Sequence, residues 1–470
     1  MSRQKNLKRN LLICLLAGSA VMYTLPLHAA TSVVANNALP TLPMVNGQIK
    51  DGYGFVTGGS NTNIVTDGLQ MNITQNKLNA VIKWGSFDVG GSATVNFKGP
   101  ESGYNTLNYV NAGGSMSQIY GTINANNNGN IFIVNPAGVQ IGNSAQINVG
   151  SLYVSNKYLN ESELGDFAGK ITPVMINTGK NADAVLMSLG NINAGEVTFE
   201  GNGRIVIDSE RIKDEAGNDK LGYKNINITT SADNTENIII GYDAYDEIDG
   251  YENVDTDTAI ATVNGSALTK ANGYMWVEDV EQLQDINTNL GGNYALRNSI
   301  DATATSSWND EGTDTDITDT DINEGFKSIG IDEDGNIIEA NVNTDNGVVT
   351  KNGFYGKFDG LDYNIFGLTI NRSGENNVGL FGVVDGATIN NVTLVGGSIT
   401  GGQSVGAIVG SARDSVISNS TNSTAVNGDY NIGGIVGDAQ NSTLTNLINT
   451  GTIGAATGDG NRIGGLVGNL

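Results

Sequence analysis

The chain has almost no thiol or imidazole chemistry. Its only cysteine is Cys14 and its only histidine is His28. Both lie in residues 1–30, where a basic start and an apolar run of about 15 residues, short of the ~20 that a membrane span needs, are typical of a cleaved secretory signal. Removal of the signal leaves neither residue type. Disulfides, Cys/His zinc sites and Ser-His-Asp triads are therefore excluded, and we predict no catalytic residue, cofactor or metal.

Basic residues and further long apolar runs are also scarce. The chain holds 24 Lys and Arg residues against 49 Asp and Glu, which gives a formal net charge of −25. Such acidity excludes electrostatic attraction to nucleic acid or to anionic lipid. It suits a soluble extracellular rod, which we expect to be a monomer.

Proline is rare as well. Six prolines against 64 glycines favour many short strands and turns. Between about residues 35 and 207, apolar and polar residues alternate over five or six positions, as in strands with one buried face. Single Asn or Gly corners separate these runs, rather than the dipeptides of hairpins. The pattern predicts an all-β fold of stacked coils, with no convincing helix in this range.

Residues 209–345 have a different composition. Acidic clusters near 243–249 and 310–321 predict an irregular connecting region. Within it, Trp276, Val280 and Leu283 lie at i, i+4 and i+7, and Ile286 continues the spacing. This periodicity predicts one short helix near 275–286.

An internal repeat is the clearest signal in the sequence. Gly-rich apolar units begin at Val378, Val405, Ile432 and Ile463, which lie 27, 27 and 31 residues apart. Such a unit cannot bury an apolar face alone, whereas coils stacked about 4.8 Å apart bury one continuous core. A flexible Gly-rich linker is disfavoured, because linkers lack Ile and Val at fixed phase. The predicted fold is a right-handed parallel β-helix, which is a solenoid.

The chain ends at Leu470, directly after the fourth unit. A solenoid that ended there would expose an open strand edge without a polar cap. We therefore expect the sequence to be part of a longer protein.

Motifs between residues 79 and 142 resemble a known secretion domain. The order is Asn-Ala-Val-Ile-x-Trp-x-x-Phe-Asp-Val from Asn79, Ser-Gln-Ile-x-Gly-x-Ile from Ser117 and Ile-Phe-Ile-Val-Asn-Pro-Ala-Gly-Val-x-Ile-Gly from Ile131. It resembles the haemagglutination-activity domain of filamentous-haemagglutinin-like exoproteins, in the high-molecular-weight adhesin branch. The resemblance implies a secretion β-helix over residues 31–208 and two-partner secretion through an outer-membrane transporter of the Omp85 type. It also implies a secreted or cell-surface location, reached through the periplasm.

The same resemblance supplies candidate residues for transporter recognition. They are Asn79, Trp84, Phe87, Asn135, Pro136 and Gly138. The family usually has Asn where this chain has Ala137. Asn, Pro and Gly at positions i, i+1 and i+3 make a good type I turn. The residues alone favour a structural corner over a recognition role, and both interpretations stay open.

A second resemblance covers about residues 276–470. Gly-Asn-Tyr-Ala-Leu from Gly292, Phe-Tyr-Gly-Lys-Phe-Asp-Gly-Leu from Phe354 and Gly-Leu-Phe-Gly from Gly379 are similar to GLUG-type repeats of large bacterial surface proteins. The similarity implies a GLUG-type solenoid over 346–470 and an adhesin that binds a host-cell or bacterial surface ligand. It does not identify the ligand.

The sequence also leaves alternatives to the adhesin. A contact-dependent toxin or cytolysin would share the N-terminal domain and carry its effector beyond residue 470. A β-helix carbohydrate-active enzyme would need charged residues converging from adjacent coils, but the acids concentrate in 209–345, so we expect no enzyme. A calcium site at Asp332, Asp334 and Asn336 is disfavoured, because Asp-Gly-Asn is more often a plain turn.

Overall fold

The computed structural model describes residues 34–57, 63–111, 114–169, 184–214, 216–218, 222–251, 256–308, 323–344, 347–455 and 462–470. The predicted signal and the acidic run 310–321 lie outside these ranges.

Short strands make up most of the described chain. The first are β1 (Met44–Val45), β2 (Gln48–Ile49), β3 (Gly54–Thr57), β4 (Asn63–Asp67), β5 (Gln70–Thr74), β6 (Asn79–Trp84), β7 (Thr94–Lys98), β8 (Asn105–Val110), β9 (Ser117–Ile119), β10 (Thr122–Ala125), β11 (Asn130–Val134), β12 (Gly138–Ile141), β13 (Gln146–Asn148), β14 (Ser151–Ser155), β15 (Val185–Ser188), β16 (Asn191–Asn193), β17 (Glu196–Glu200) and β18 (Ile205–Asp208). The next are β19 (Ile212–Lys213), β20 (Ile226–Thr229), β21 (Ile238–Tyr242), β22 (Ala259–Val263), β23 (Ser266–Thr269), β24 (Tyr274–Val277), β25 (Asn293–Leu296), β26 (Ile300–Asp301), β27 (Glu339–Thr344), β28 (Gly347–Asn352), β29 (Lys357–Asp359), β30 (Asn364–Phe366) and β31 (Thr369–Asn371). The last are β32 (Phe381–Asp385), β33 (Thr388–Asn390), β34 (Thr393–Val395), β35 (Ser398–Thr400), β36 (Gln403–Gly406), β37 (Val409–Arg413), β38 (Val416–Asn422), β39 (Ala425–Gly428), β40 (Tyr430–Gly433), β41 (Val436–Gln440), β42 (Thr443–Asn449), β43 (Ile453–Ala455), β44 (Ile463–Gly464) and β45 (Val467–Asn469).

Helical structure is limited to short pieces. The α-helices of the described chain are α1 (Glu161–Gly169) and α2 (Val280–Gln284). Single 3₁₀ turns lie at Ser209–Arg211, Tyr223–Asn225, Ala232–Asn237, Lys270–Asn272, Asp285–Thr288 and Thr303–Ser307. Within the described ranges, no helix is long and apolar enough to cross a membrane.

Most strands pair in parallel with a strand of the next coil. The first sheet has the order β4-β5-β7-β10-β13-β16-β19, and the second runs β3-β6-β8-β11-β14-β17-β20-β22-β23. The third runs β9-β12-β15-β18-β21-β24-β25-β29-β33-β38 and then β34-β30-β26. Smaller sheets β31-β35-β39-β43, β32-β37-β41-β45 and β36-β40-β44 complete the C-terminal coils. A chain that returns to each sheet once per coil is a parallel β-helix, which confirms the predicted fold class; the right-handed sense is the one that parallel crossovers favour.

The apolar core follows from residues that repeat in register. Inward-facing side chains of the first sheet pair coil by coil and are almost fully buried: Met71, Val95, Ile123, Ile147, Ile192 and Ile212. Branched side chains suit this pleated, buried surface. One continuous hydrophobic cluster extends from Met71 to Ala439, and each coil adds apolar burial at roughly 25 cal/mol per Å².

The C-terminal repeat stacks unit on unit. Val405 pairs with Val378 on one side and with Ile432 on the other, and Ile432 pairs with Ile463. The glycine that follows each of them is required by close packing. A Cβ on Gly406 would lie 2.3 Å from the carbonyl oxygen of Val409. The predicted solenoid is confirmed here at the level of register.

Residues 209–345 combine irregular and regular structure. Strands β20, β21, β24 and β25 extend the second and third sheets by parallel pairing, so the solenoid continues through this region. The acidic cluster near 243–249 forms a tight loop closed between Asp246 and Gly250. Alternating apolar and polar residues between such loops form the strands. The acidic residues of the 243–249 loop stay outside the core.

The helix predicted near 275–286 is shorter than expected and begins later. Met275 and Trp276 belong to β24 and pair with β25, so the N-terminal part of that prediction was wrong. The helix starts where the Asp279 carboxylate accepts the backbone N–H of Gln282 over 2.8 Å, which is an N-cap. The spacing was still informative, because the side chains that suggested it are buried.

The third sheet bends so that distant coils meet. Arg204, next to β18, forms ion pairs with Asp359 of β29 and, over 3.3 Å, with Asp362. Four strand steps separate β18 from β29, or about 19 Å in a flat sheet. The contact therefore requires the outer face of the sheet to close on itself, and we call this bend the elbow. An apolar cluster fills it: Leu189, Val206, Ile239, Tyr274, Trp276, Ala295 and Leu361.

Candidate functional site

The strand that opens the secretion motif, β6, is covered on both faces. All six of its residues are buried. Ile82 and Trp84 face the main core, whereas Val81 faces outward and packs with Leu164 of α1 in a second cluster. The Lys83 ammonium lies 2.5 Å from the Glu161 carboxylate at the start of that helix. Helix α1 thus closes the outer face of the motif strand.

Asn79 begins a ladder of hydrogen bonds along the second sheet. The Asn105 amide donates to Asn79 Oδ1 over 2.7 Å, and the Asn130 amide donates to Asn105 Oδ1 over 3.0 Å. The Ser151 hydroxyl then donates to Asn130 Oδ1 over 2.8 Å. Because the strands are in register, these side chains stack at successive coils. Asn79 therefore fixes the register of the first coils.

Trp84 and Phe87 form an aromatic pair inside the core. Their ring centroids are 5.7 Å apart in an edge-to-face arrangement, and neither side chain is exposed. Trp84 Nε1 donates a 3.1 Å hydrogen bond to Oδ1 of Asn108, which is itself fully buried. In the folded chain, no partner reaches either ring.

The Asn135–Gly138 segment forms the predicted four-residue turn. The Gly138 N–H donates to the Asn135 carbonyl over 2.8 Å, and the Ala137 N–H donates to Asn135 Oδ1 over 2.9 Å. The side-chain amide of Asn135 also donates to the Ser115 carbonyl over 2.9 Å. Asn135 is 1% exposed, and Pro136 is buried. The turn is a buried corner between two strands of one coil.

Gly138 is the position of this corner that tolerates no side chain. Its φ is +108°, a region that L side chains rarely adopt, and a Cβ would lie 2.5 Å from the Val185 carbonyl oxygen. The structure therefore brings the six predicted residues into the first coils, but it buries them instead of gathering them on a surface.

Helix α1 was missed in the sequence although its start carries a signal. The Asn160 side chain accepts the N–H of Glu163 over 3.0 Å, and the Glu163 carboxylate accepts the N–H of Asn160 over 2.7 Å. This reciprocal pair is a capping box, which an Asn-x-x-Glu pattern predicts. The helix is short enough that periodicity alone did not reveal it.

A second asparagine ladder runs along the outer face of the first sheet and was also missed. Each side-chain amide donates to the Oδ1 of the preceding coil over 2.6 to 3.3 Å. The members are Asn72, Asn96, Asn124, Asn148 and Asn193. A recurring pattern of an apolar residue followed by Asn was its only sequence signal.

Replacing Asn124 by Ala is expected to destabilise this ladder, because it removes one donor bond to Asn96 and one acceptor bond from Asn148. With hydrogen bonds worth about 1 kcal/mol each, we expect a loss of about 1–2 kcal/mol, measured as faster amide exchange in β10. Thr122→Ala, on the same strand and face, is the control. Equal losses of stability in Asn124→Ala and Thr122→Ala would contradict a role for the ladder.

The Asp332–Asn336 segment, considered for calcium, forms a turn. Asp332 Oδ1 accepts the N–H groups of Asp334 and Asn336 over 3.0 and 2.8 Å. These bonds hold the pKa of Asp332 below its usual value. They occupy one of the two oxygens of this carboxylate.

Comparison with known proteins identifies the family to which residues 54–313 belong. The TPS secretion domain family model matches residues 54–313, which is more than half of the chain. The heme/hemopexin-binding protein of Haemophilus influenzae is 32% identical over 177 residues, 34% of this chain and 19% of that protein. Halomucin of Haloquadratum walsbyi is 34% identical over 149 residues, 31% of this chain and 1% of that protein. The crystal structure of the HMW1 secretion domain from Haemophilus influenzae covers 86% of this chain and 99% of its own at 14% identity and a TM-score of 0.27.

The matched range contains the motif coils, the two asparagine ladders and the buried corner. The chain belongs to the TPS secretion domain family, and is therefore an exoprotein of two-partner secretion. Such exoproteins are secreted through an outer-membrane transporter and are surface-associated or released. The chain spans about a fifth or less of the length of the two curated relatives.

Proposed function

We propose that residues 31–208 direct export through an outer-membrane transporter of the Omp85 type after a signal at 1–30 has led the chain to the periplasm. In this proposal, residues 209–345 connect the secretion domain to a repeat solenoid at 346–470, which extends from the cell and carries an adhesive surface. The family match over residues 54–313 is the observation that carries the export function.

The transporter engages the 79–142 segment before the coils close. Asn79, Trp84, Phe87 and Asn135 are buried in the folded chain, so their side chains are available to a partner only while the segment is unfolded. Once outside, each coil that stacks buries apolar area worth roughly 25 cal/mol per Å². This gain opposes return of the chain through the transporter.

Deleting residues 79–142 is expected to abolish surface appearance when the chain is produced with its transporter. Surface protein is measured with an antibody to an epitope in residues 432–470, which both deletion variants retain, and periplasmic protein is measured in parallel. The matched control deletes residues 378–431, which are two repeat units, so that Ile432 takes the register position of Val378. The control should reach the surface. Normal export of the 79–142 deletion would disprove the transporter assignment.

The adhesive role is supported by a relative of this chain. The Haemophilus relative is named for binding heme and hemopexin, which favours a binding role over a catalytic one for this exoprotein. The long solenoid supplies the extended surface that such a role needs. Its ligand is a molecule on a host cell or on a neighbouring bacterium, and binding of cells by the purified exported chain tests the role directly.

A further inference from the structure

A cavity of about 250 Å³ opens where the β27–β28 hairpin meets the C-terminal solenoid. Its lining combines apolar and polar side chains from the hairpin ends and from two successive coils. They include Ile337, Val383, Asn352, Asp385, Ser411 and Arg413. The cavity lies outside the range that the secretion-domain family covers, and the export proposal assigns it no role.

Asp385 is held in place at the wall of this cavity. Its side chain is 7% exposed, and its carboxylate accepts the backbone N–H of Asn352 over 3.1 Å. The Lys351 ammonium lies 3.5 Å away. One wall therefore presents a fixed hydrogen-bond acceptor.

Arg413 supplies the opposite chemistry. It pairs with Asp385 in backbone register on the next coil, but its guanidinium forms no ion pair, ring contact or hydrogen bond with any described residue. The other arginines of the described chain each have such a partner: Arg204, Arg211, Arg297, Arg372 and Arg462. The five N–H donors of the guanidinium are thus free for a ligand.

The charges around the cavity select against ionic ligands. A carboxylate would face Asp385 in the cavity wall. Two further acids occupy neighbouring positions: Asp414 follows Arg413, and Asp438 pairs with Ser411 on the next coil. A cation would face Arg413 and Lys351. A neutral ligand with several hydroxyl groups uses both the fixed acceptor and the free donors.

The size and the apolar walls narrow the ligand class further. At about 250 Å³, the cavity is smaller than the roughly 300–1,000 Å³ of sites for drug-sized molecules, so it suits a single ring. Ile337 and Val383 offer an apolar surface for C–H groups, and the polar side chains converge on the same space. A pyranose ring has both a C–H face and a rim of hydroxyls.

We propose that this cavity binds one neutral pyranose unit of a glycan, with Asp385 accepting from sugar hydroxyls and Arg413 donating to sugar oxygens. The inference rests on the proposed adhesive role, for which it names a ligand class. The site would place glycan recognition on the solenoid, away from the coils needed for export.

Saturation-transfer NMR on the full exported chain tests the site with methyl glycosides of glucose, galactose, mannose and N-acetylglucosamine. Glucuronate and glucosamine serve as the charged probes. For a ligand of about a dozen heavy atoms we expect a Kd of about 1 mM for at least one neutral glycoside. We expect binding at least tenfold weaker for both charged probes.

Arg413→Gln is expected to weaken glycoside binding at least tenfold, because it removes the free guanidinium. Arg462→Gln makes the same chemical change on the last coil, outside the cavity lining, and should leave binding unchanged. Both variants should keep the wild-type circular dichroism spectrum, since Arg413 and Arg462 are both exposed. Undiminished binding by Arg413→Gln, absence of binding by the wild type or preference for a charged probe would each overturn the site.

Cell binding by the same proteins separates this site from the adhesive role. Loss of both glycoside and cell binding in Arg413→Gln supports the site as the adhesive one. Glycoside binding without any cell binding by the wild type would overturn the adhesive role and leave the sugar site standing. Cell binding that survives loss of glycoside binding would overturn the site as the basis of adhesion.

Discussion

Replacing Arg297 by Met is expected to destabilise the elbow by about 3–5 kcal/mol, since removing one partner of a buried ion pair leaves an uncompensated charge. The Asp208 side chain is 1% exposed. Arg297 donates to its Oδ2 from Nε over 2.9 Å and from Nη2 over 2.5 Å, and Trp276 Nε1 donates to its Oδ1 over 3.2 Å. Without the guanidinium, the carboxylate keeps the Trp276 indole, the backbone N–H of Glu210 over 3.2 Å and the peripheral Arg211. Hydrogen exchange in β18 and β24 measures the local opening free energy.

Arg211→Met is the matched control, because Arg211 lies 3.6 Å from the same carboxylate but is 39% exposed. We expect it to cost less than about 1 kcal/mol, as for exposed ion pairs. Equal losses in the two variants would contradict the buried-pair explanation.

The loss of stability that Arg297→Met causes should also depend on pH, and we call this loss the deficit. Burial raises the pKa of Asp208, and the attraction of Arg297 opposes that rise. A carboxyl with a raised folded pKa is most favourable to folding when protonated, and its contribution is lost as pH rises through the folded pKa. Loss of Arg297 raises that pKa further. The deficit is therefore full at neutral pH and shrinks as pH falls toward the ordinary Asp value of about 4; a deficit that grows on acidification would contradict this.

The parts of the fold that the sequence predicts are those set by local repetition. Val378, Val405 and Ile432 recur at a regular spacing in the sequence, and the same residues pair in register in the structure. The Asn135–Gly138 corner is also local, because Asn, Pro and Gly each satisfy a turn position by their own chemistry. Each of these features needs only residues close in sequence or equivalent in successive repeats.

The parts that the sequence does not predict depend on distant contacts. Arg204 and Asp359 are 155 residues apart, and no pattern in either segment indicates that the third sheet bends to join them. Trp276 appeared helical by spacing, yet it lies in a strand, with its ring filling the space left by the missing side chain of Gly241. Pairing with both neighbouring coils outweighed the local helical periodicity.

The candidate residues of the secretion motif illustrate both cases. Their positions in the first coils follow from the motif order, but their burial depends on contacts with other coils, such as those of Trp84 with Asn108 and of Gly138 with Val185, which no local pattern predicts. As a result, residues that a motif search selects for recognition are also those that hold the first coils together. A substitution at any of them affects folding as well as export.

Trp84→Ala is therefore expected to destabilise the first coils by about 3–5 kcal/mol, as for other large-to-small changes in a core. It leaves a cavity beside Phe87 and removes the only indole donor to the buried Asn108 side chain. Trp84→Phe fills most of that space and loses mainly the hydrogen bond, at about 1–3 kcal/mol. Tyr158→Ala, at a ring that is 47% exposed, should cost little. Hydrogen exchange in β6 and β8 measures all three variants.

The amount of protein that reaches the surface should follow this order if Trp84 acts through folding. Trp84→Ala should be retained or degraded, Trp84→Phe should be exported nearly as well as the wild type, and Tyr158→Ala should be unaffected. A Trp84→Phe chain that is stable when refolded but stays in the periplasm would assign the indole a direct role in transporter recognition. Burial argues against that role for the folded coil, since the ring is fully enclosed there, and limits it to the unfolded segment in transit.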